Sequence, residues 1–371
     1  MSPRRGGSEQ RRVSEGGTSP FVHFIVIITD SIRREYFLLK IVLITLAMIS
    51  VASFAQDPNL HIYIAYGQSN MAGEGALLSS DYVPIPRFYV LRAADFSDQK
   101  VGELYPAMPP MGHSQSMIGI SDFFGRKMVQ ELPDSISVAV ANVAIGGQSI
   151  DLFDKDRNAE YVEKMKSITT TWWWIPYLNE YGGDLHKRIV EIGKIAKQKG
   201  VIKGFLFHQG EADNQMSDWP KRVKKVYDDF IKELELDPKK TPILIGELAP
   251  TGDYGWRNTA VAEAVSLIPN AYLISAQGCP VLKETDALTH TSYMLHFTRE
   301  GYQILGSRYA VKMLDLMGIK ASTDAIAAKP LVRVEDSREP KLYFDAREQA
   351  IFIRVQRNGR EVRYRVTGKR K

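Results

Sequence analysis

Ser69 stands in the stretch YGQSNMAGEG, residues 66–75, directly after the apolar run LHIYIA. A hydroxyl placed just past the end of a strand is presented at the edge of a sheet, where a nucleophile has access to substrate. The same small and polar residues also make ordinary turns, so the serine needs partners before it means anything. Acyl transfer from an ester requires a base to take the hydroxyl proton, a group to orient that base, and donors for the oxyanion. Seven histidines are available. His23 lies upstream of the globular pattern, His61 is inside a strand pattern, and His113 and His186 have no acidic or glycine-rich context. His208, His290 and His296 remain as candidate bases. Cys279 is the single cysteine, which excludes an intrachain disulfide; in SAQGCP it reads as a small buried hydrophobe.

The elements that must position these groups are legible from about Leu60 onward. Near-continuous apolar runs at LHIYIAY, SVAVANVAI (from Ser137), IKGFLFH (from Ile202), TPILIGELA (from Thr241) and AYLISA (from Ala271) predict strands buried on both faces, as in a parallel sheet. Helical patterns lie between them. In DLHKRIVEIGKIAKQKG, Leu185, Ile189, Ile192 and Ala196 share one helix face, with Asp184 as N-cap and Gly200 as the stop. Further helices are predicted at ISDFFGRKMVQEL, WPKRVKKVYDDFIKELEL, WRNTAVAEAVSLI and REGYQILGSRYAVKMLDLMG. The alternation predicts an α/β fold, a three-layer α/β/α sandwich with a mostly parallel sheet of about five strands. Sites in such sheets lie beyond the carboxyl ends of the strands. The Ser69 turn, GGQS (146–149) and HQGEAD (208–213) should therefore converge on one edge.

The ends read differently. Arg33, Arg34 and Lys40 precede an uncharged apolar run from Ile41, and Ser53 and Ala55 occupy the small-residue positions of a cleavage site. The run is about fifteen residues, short of the roughly twenty that span a bilayer, so residues 1–55 are expected to be an upstream extension and signal peptide cleaved after Ala55. The mature protein is then secreted or periplasmic and carries no membrane segment. Residues 56–320 form the main domain; residues 321–371 form a linker and a small β appendage with a hairpin at Asn358-Gly359. The formal charge of +5 comes in good part from the two ends, and no basic stripe interleaved with aromatics suggests nucleic acid. There is no paired-histidine helix motif, cysteine cluster, acidic calcium loop or dinucleotide fingerprint, so no metal or other cofactor is expected.

IYIAYGQSNMAGEG, NVAIGGQSIDLFDKD, FHQGEAD and LHFTREGYQILGSRYA occur in an order and spacing that resemble the SGNH-type, flavodoxin-like carbohydrate acetylesterases, that is, carbohydrate esterase family 6 and the sialate O-acetylesterase domain. The resemblance covers roughly Leu60 to Gly318. It implies Ser69 as nucleophile, His296 in LHFT as general base, and an oxyanion hole made by the N–H groups of Ser69 and Gly147 and the side-chain amide of Gln209. A glycine lets the main chain approach an oxyanion closely, and a glutamine amide donates without titrating. In the family an aspartate commonly stands three residues before the histidine; here that position is Tyr293. Glu211 of HQGE is therefore expected to orient His296, with Asp286 and Asp213 in reserve. Trp172, Trp173, Trp174 and Tyr177 form an aromatic run suited to stacking on a sugar ring, with at least one indole expected in the core. The implied function is a secreted serine esterase that removes O-acetyl groups from carbohydrate of the acetylxylan or sialic acid type. The alternative is a catalytically impaired carbohydrate-binding protein, which the missing aspartate would explain.

Overall fold

The computed structural model describes residues 34–40, 56–96, 98–168, 173–285 and 292–322, and the backbone of three strands beyond them. The chain divides into two compact units, Met1–Ala55 and Gln56–Lys371. In the first, the described residues form helix α1 (34–40). The cleavage site expected after Ala55 adjoins residues outside the described set.

The second unit is built on a seven-stranded sheet. In chain order its strands are β1 (Asp57–Gly67), β2 (Phe88–Leu91), β3 (Leu104–Pro106), β4 (Ser137–Ala144), β5 (Gly200–His208), β6 (Ile243–Gly246) and β7 (Ala271–Ile274). Their spatial order is β3-β2-β4-β1-β5-β6-β7. Every pair is parallel except β2 with β3. All five expected strands are present. The two additional ones, β2 and β3, are only four and three residues long, too short for a sustained pattern.

Alternation along β1 divides the core. Ile62, Ile64 and Tyr66 point to a layer completed by α6 (Leu185–Lys199), α7 (Trp219–Glu233) and α8 (Asn258–Leu267). Tyr63 and Ala65 point to a layer completed by α3 (Ile120–Glu131) and α9 (Arg299–Leu316). Each fully buried aliphatic side chain, Ile64 among them, contributes about 1.5–3 kcal/mol by leaving water. Shorter helices α2 (Ser69–Ala72), α4 (Asn158–Lys166) and α5 (Ile175–Glu180) sit in the loops.

Asp184 caps α6 as expected, its Oδ1 accepting from the Lys187 N–H at 2.9 Å. Gly200 does not act as a left-handed stop: its backbone is extended, and it opens β5 directly. A Cβ there would lie 2.4 Å from the Leu60 carbonyl oxygen, so close strand approach explains the glycine. Beyond residue 340, β10 (Lys341–Asp345), β11 (Ala350–Arg357) and β12 (Arg360–Val366) form a separate antiparallel sheet. The Asn358-Gly359 turn lies outside the described residues, between the paired Arg357 and Arg360.

Candidate active site

The site starts where β1 ends. Gly67 has φ +147°, and a Cβ on it would lie 2.0 Å from the His208 carbonyl oxygen, so only glycine lets β1 and β5 leave the sheet this close together. The Gln68 N–H donates to that same carbonyl at 3.1 Å. The chain then turns into α2, with the N–H groups of Met71 and Ala72 both donating to the Gln68 carbonyl at 2.9 Å. Ser69 is the first helical residue, 4% exposed, and its Oγ is buried with no hydrogen-bond partner among the described residues. A buried hydroxyl without a partner costs about 1–3 kcal/mol in desolvation.

The second turn lies against the serine. A Cβ on Gly146 would be 3.3 Å from the Ser69 Cβ, and Gly147 follows with φ +68°. The third turn is tied to the first by Gln68 Oε1, which accepts from the N–H groups of Gly210 at 3.4 Å and Ala212 at 3.2 Å. It is tied to the second by Asp213, whose Oδ2 accepts from the Ile150 N–H at 2.8 Å and from Gln209 Nε2 at 2.6 Å. The three turns thus converge at the carboxyl ends of β1, β4 and β5.

Gln209 is held at both ends of its amide. Oε1 accepts from the Trp219 indole N–H at 2.6 Å, while Nε2 donates to Asp213 and, at 3.2 Å, to the Gln148 carbonyl. Both amide protons are therefore engaged. A role as oxyanion donor requires it to release the longer bond.

His296 enters from the segment before α9 and is fastened to the serine turn through Asn70. The Asn70 Nδ2 donates to the Leu295 carbonyl at 3.2 Å, and its Oδ1 accepts from the Phe297 N–H at 3.4 Å, so one amide grips both neighbours of the histidine. The Tyr302 hydroxyl donates to the same Oδ1 at 2.8 Å. On the other side, the Leu282 N–H donates to the His296 carbonyl at 2.8 Å.

The carboxylate at His296 is Glu284, which replaces the expected Glu211. His296 Nδ1 lies 3.0 Å from Glu284 Oε1 and 2.9 Å from Oε2. A carboxylate at Nδ1 keeps the proton there and leaves Nε2 to face a hydroxyl. The reason sits in a two-stranded ribbon, β8 (Glu284–Thr285) against β9 (Ser292–Tyr293), whose register pairs Glu284 with Tyr293. The carboxylate missing at Tyr293 is supplied by the residue directly across the ribbon. Glu211 is 3% exposed and turned elsewhere: its Oε1 accepts from Asn70 Nδ2 at 2.9 Å and lies 3.9 Å from His208 Nδ1. It therefore holds the residue that holds the histidine loop. His208 is fully buried, which pushes its pKa below the usual imidazole range, and its Nε2 meets the Glu247 carbonyl at 3.0 Å. Asp213 is pushed up by burial. Asp286, His290 and Trp172 lie outside the described residues.

The remaining aromatic candidates separate. Trp174 is wholly buried in the core, whereas Trp173 is 53% exposed. Its indole edge comes within 3.4 Å of where a Cβ on Gly147 would sit, which places it beside the oxyanion turn. Tyr177 stands edge-on to Trp173 at 6.3 Å and stacks on His113 at 4.2 Å. The result is an exposed aromatic wall next to Ser69. Among the described residues, Asp154, Asp156 and Asp229 are close enough to share a cation. Lys225 Nζ already meets them at 2.7, 2.7 and 2.8 Å.

The family model for the carbohydrate esterases described as sialic acid-specific acetylesterase matches residues 59–315. Among solved structures, the chain is similar to a protein from Arabidopsis thaliana, with TM-score 0.50 and 21% identity over 70% of this chain and 99% of that one. It is also similar to NanS, with TM-score 0.50 and 16% identity over 71% of this chain and 99% of that one. At these identities the two structures attest the fold. No helix among the described residues is long and apolar enough to cross a membrane.

Proposed function

Because the chain belongs to the sialic acid-specific acetylesterase family of carbohydrate esterases, and is thus a carboxylic ester hydrolase acting on acetylated sugars, we propose that it works as a serine esterase through an acetyl-enzyme. Ser69 Oγ attacks the acetyl carbonyl while His296 Nε2 takes its proton, and Glu284 stabilises the imidazolium that forms. The N–H groups of Ser69, at the start of α2, and Gly147 face no carbonyl among the described residues and are free to hold the oxyanion. Gln209 joins them by giving up its bond to the Gln148 carbonyl. The sugar hydroxyl leaves with the proton from His296, and water attacks the acetyl-enzyme with the same imidazole as base. No metal or other cofactor is needed for this sequence of steps.

The observation that carries the reading is the join between turns: Asn70, adjacent to Ser69, binds both residues flanking His296, and Glu284 meets that imidazole. The motive for the binding-protein alternative was the absent carboxylate, and Glu284 removes it. Trp173 and Tyr177 offer apolar ring faces to the sugar. We further place the mature protein outside the cytoplasm, with residues 1–55 removed; the support is the charged, apolar and small-residue sequence pattern ending at Ala55. The test is release of p-nitrophenol from its acetate ester by the purified mature protein and by Ser69→Ala. Activity that disappears in the variant, with an unchanged melting temperature, supports the serine mechanism; equal rates in both would refute it.

A further inference from the structure

Trp256 has no part in the steps above, yet it is the more exposed of two indoles at the carboxyl edge of the sheet. Of the described tryptophans, Trp174 and Trp219 are wholly buried, whereas Trp173 is 53% and Trp256 60% exposed. The exposed ring is held in place. It belongs to a tight turn in which the Arg257 N–H donates to the Tyr254 carbonyl at 2.9 Å and the Gly255 N–H to the Gly252 carbonyl at 3.2 Å. A Cβ would lie 2.4 Å from the Pro250 carbonyl oxygen at Gly255 and 2.5 Å from the Met294 carbonyl oxygen at Gly252, so the turn is packed tightly on itself and on the histidine segment. The Arg257 guanidinium, on a residue only 6% exposed, lies 5.6 Å from the centre of the Trp256 ring and 5.7 Å from that of Trp219. The arginine covers one face of Trp256 and leaves the other to solvent.

Hydrogen bonds tie this turn to both halves of the site. On the histidine side, the Asp253 N–H donates to the Met294 carbonyl and the Met294 N–H donates to Asp253 Oδ2, both at 2.9 Å, two residues before His296. On the oxyanion side, Trp219 donates its indole N–H to Gln209, and both terminal nitrogens of Arg257 reach the Met216 carbonyl at 3.4 Å, just past HQGEAD. Trp173 stands on the opposite flank, against the Gly147 turn that leaves β4. The spatial order β4-β1-β5-β6 puts the Ser69 exit between the two flanks. Three strand spacings separate the ends of β4 and β6, roughly 14 Å. That span is wider than one pyranose ring. An acetylated sugar resting on Trp173 leaves Trp256 for a neighbouring unit of the same chain, whose apolar C–H face suits an indole.

We propose that Trp256 is a second sugar subsite, stacking on the saccharide unit next to the acetylated one, so that the enzyme favours an acetyl group carried on a chain over the same group on a single sugar. The inference rests on the Ser69 esterase reading and extends it to the neighbours of the acetylated unit. Two matched pairs of probes test it: O-acetylated xylotetraose against O-acetylated methyl xyloside, and 9-O-acetylated sialyllactose against 9-O-acetyl-N-acetylneuraminic acid. In the pair that the wild type hydrolyses faster, kcat/KM on the chain is expected to exceed that on the single sugar by about threefold to tenfold, the worth of one aromatic contact. Trp256→Ala should bring this ratio to within about twofold through a higher KM on the chain, while Trp256→Phe, which keeps a ring, should retain most of it. A wild type that shows no preference for the chain, that hydrolyses neither chain, or whose preference persists in Trp256→Ala overturns the proposal. So does an equal loss on both members of the pair, which would mark Trp256 as a structural cover for Arg257. Should Trp256→Ala fail to fold, Trp256→Gln, which keeps a side chain over Arg257 without a ring, carries the same test. Rates retained in Ser69→Ala would remove the esterase reading and this inference with it. Full dependence on Ser69 with an unchanged ratio in the Trp256 variants removes the inference alone.

Discussion

Replacing Glu284 with glutamine should slow hydrolysis far more than the same change at Glu211, although sequence motifs point to Glu211. Glu284 lies 2.9–3.0 Å from His296 Nδ1, so its charge acts directly on the imidazolium formed as Ser69 attacks. A hydrogen bond to a charged group is worth about 1.5–3 kcal/mol. The pair is partly open, with side-chain exposures of 13% for the histidine and 25% for the glutamate, and solvent screening takes away part of that. The remainder corresponds to a loss of about tenfold to a hundredfold in kcat/KM, at a rate of tenfold per 1.36 kcal/mol. Glu211→Gln keeps an acceptor for Asn70 Nδ2 and changes nothing at the imidazole, so its kcat/KM should stay within about fivefold. The assay is steady-state hydrolysis of p-nitrophenyl acetate by the two variants, with melting temperatures recorded alongside. A larger loss in Glu211→Gln than in Glu284→Gln, with both variants as stable as the wild type, would refute the assignment.

Trp173→Ala should raise KM for an acetylated oligosaccharide by about threefold to tenfold, the worth of one aromatic contact, and leave p-nitrophenyl acetate kinetics nearly unchanged. Gly67→Ala should destabilise the fold by about 3 kcal/mol or more, read as a lower denaturant midpoint, because a Cβ at φ +147° would meet the His208 carbonyl oxygen at 2.0 Å. His113 should make stability acid-sensitive. Burial pushes its folded pKa down to about 4, below the unfolded value near 6.5, so its contribution is complete above about pH 6.5 and is lost as pH falls toward 4. The loss is about 3 kcal/mol at most, and His113→Gln should flatten the stability profile in that window by up to this amount.

The sheet was legible because β1, β4 and β5 are buried on both faces and must be apolar along their whole length. β2 and β3, four and three residues long, are too short to leave a comparable trace. The turns that hold Ser69, Gly147 and Gln209 were legible because each follows one of those buried strands, where turn residues break an apolar run; the roles given to these residues are what the family resemblance implies. His296 stands out only through the resemblance that LHFTREGYQILGSRYA carries. Glu284 was not legible: its pairing with Tyr293 is a backbone register across a ribbon only two residues wide on each side, too short to impose any periodicity. Glu211, the conspicuous acid in a motif, meets Asn70, while Glu284 meets the imidazole. Likewise, adjacent indoles look alike in sequence; their opposite fates, Trp174 in the core and Trp173 at the surface, follow from the turn entering α5. Gly200 resembled a helix stop because its composition signal is the same whether glycine is needed for φ or for close approach.

Covalent capture tests the central claim most directly. Incubation with a fluorophosphonate ester, followed by peptide mass mapping, should place one adduct per chain on Ser69, with labelling slowed strongly in His296→Ala and less in Glu284→Gln. An adduct on another residue, or labelling of Ser69 at the same rate without His296, would contradict the account.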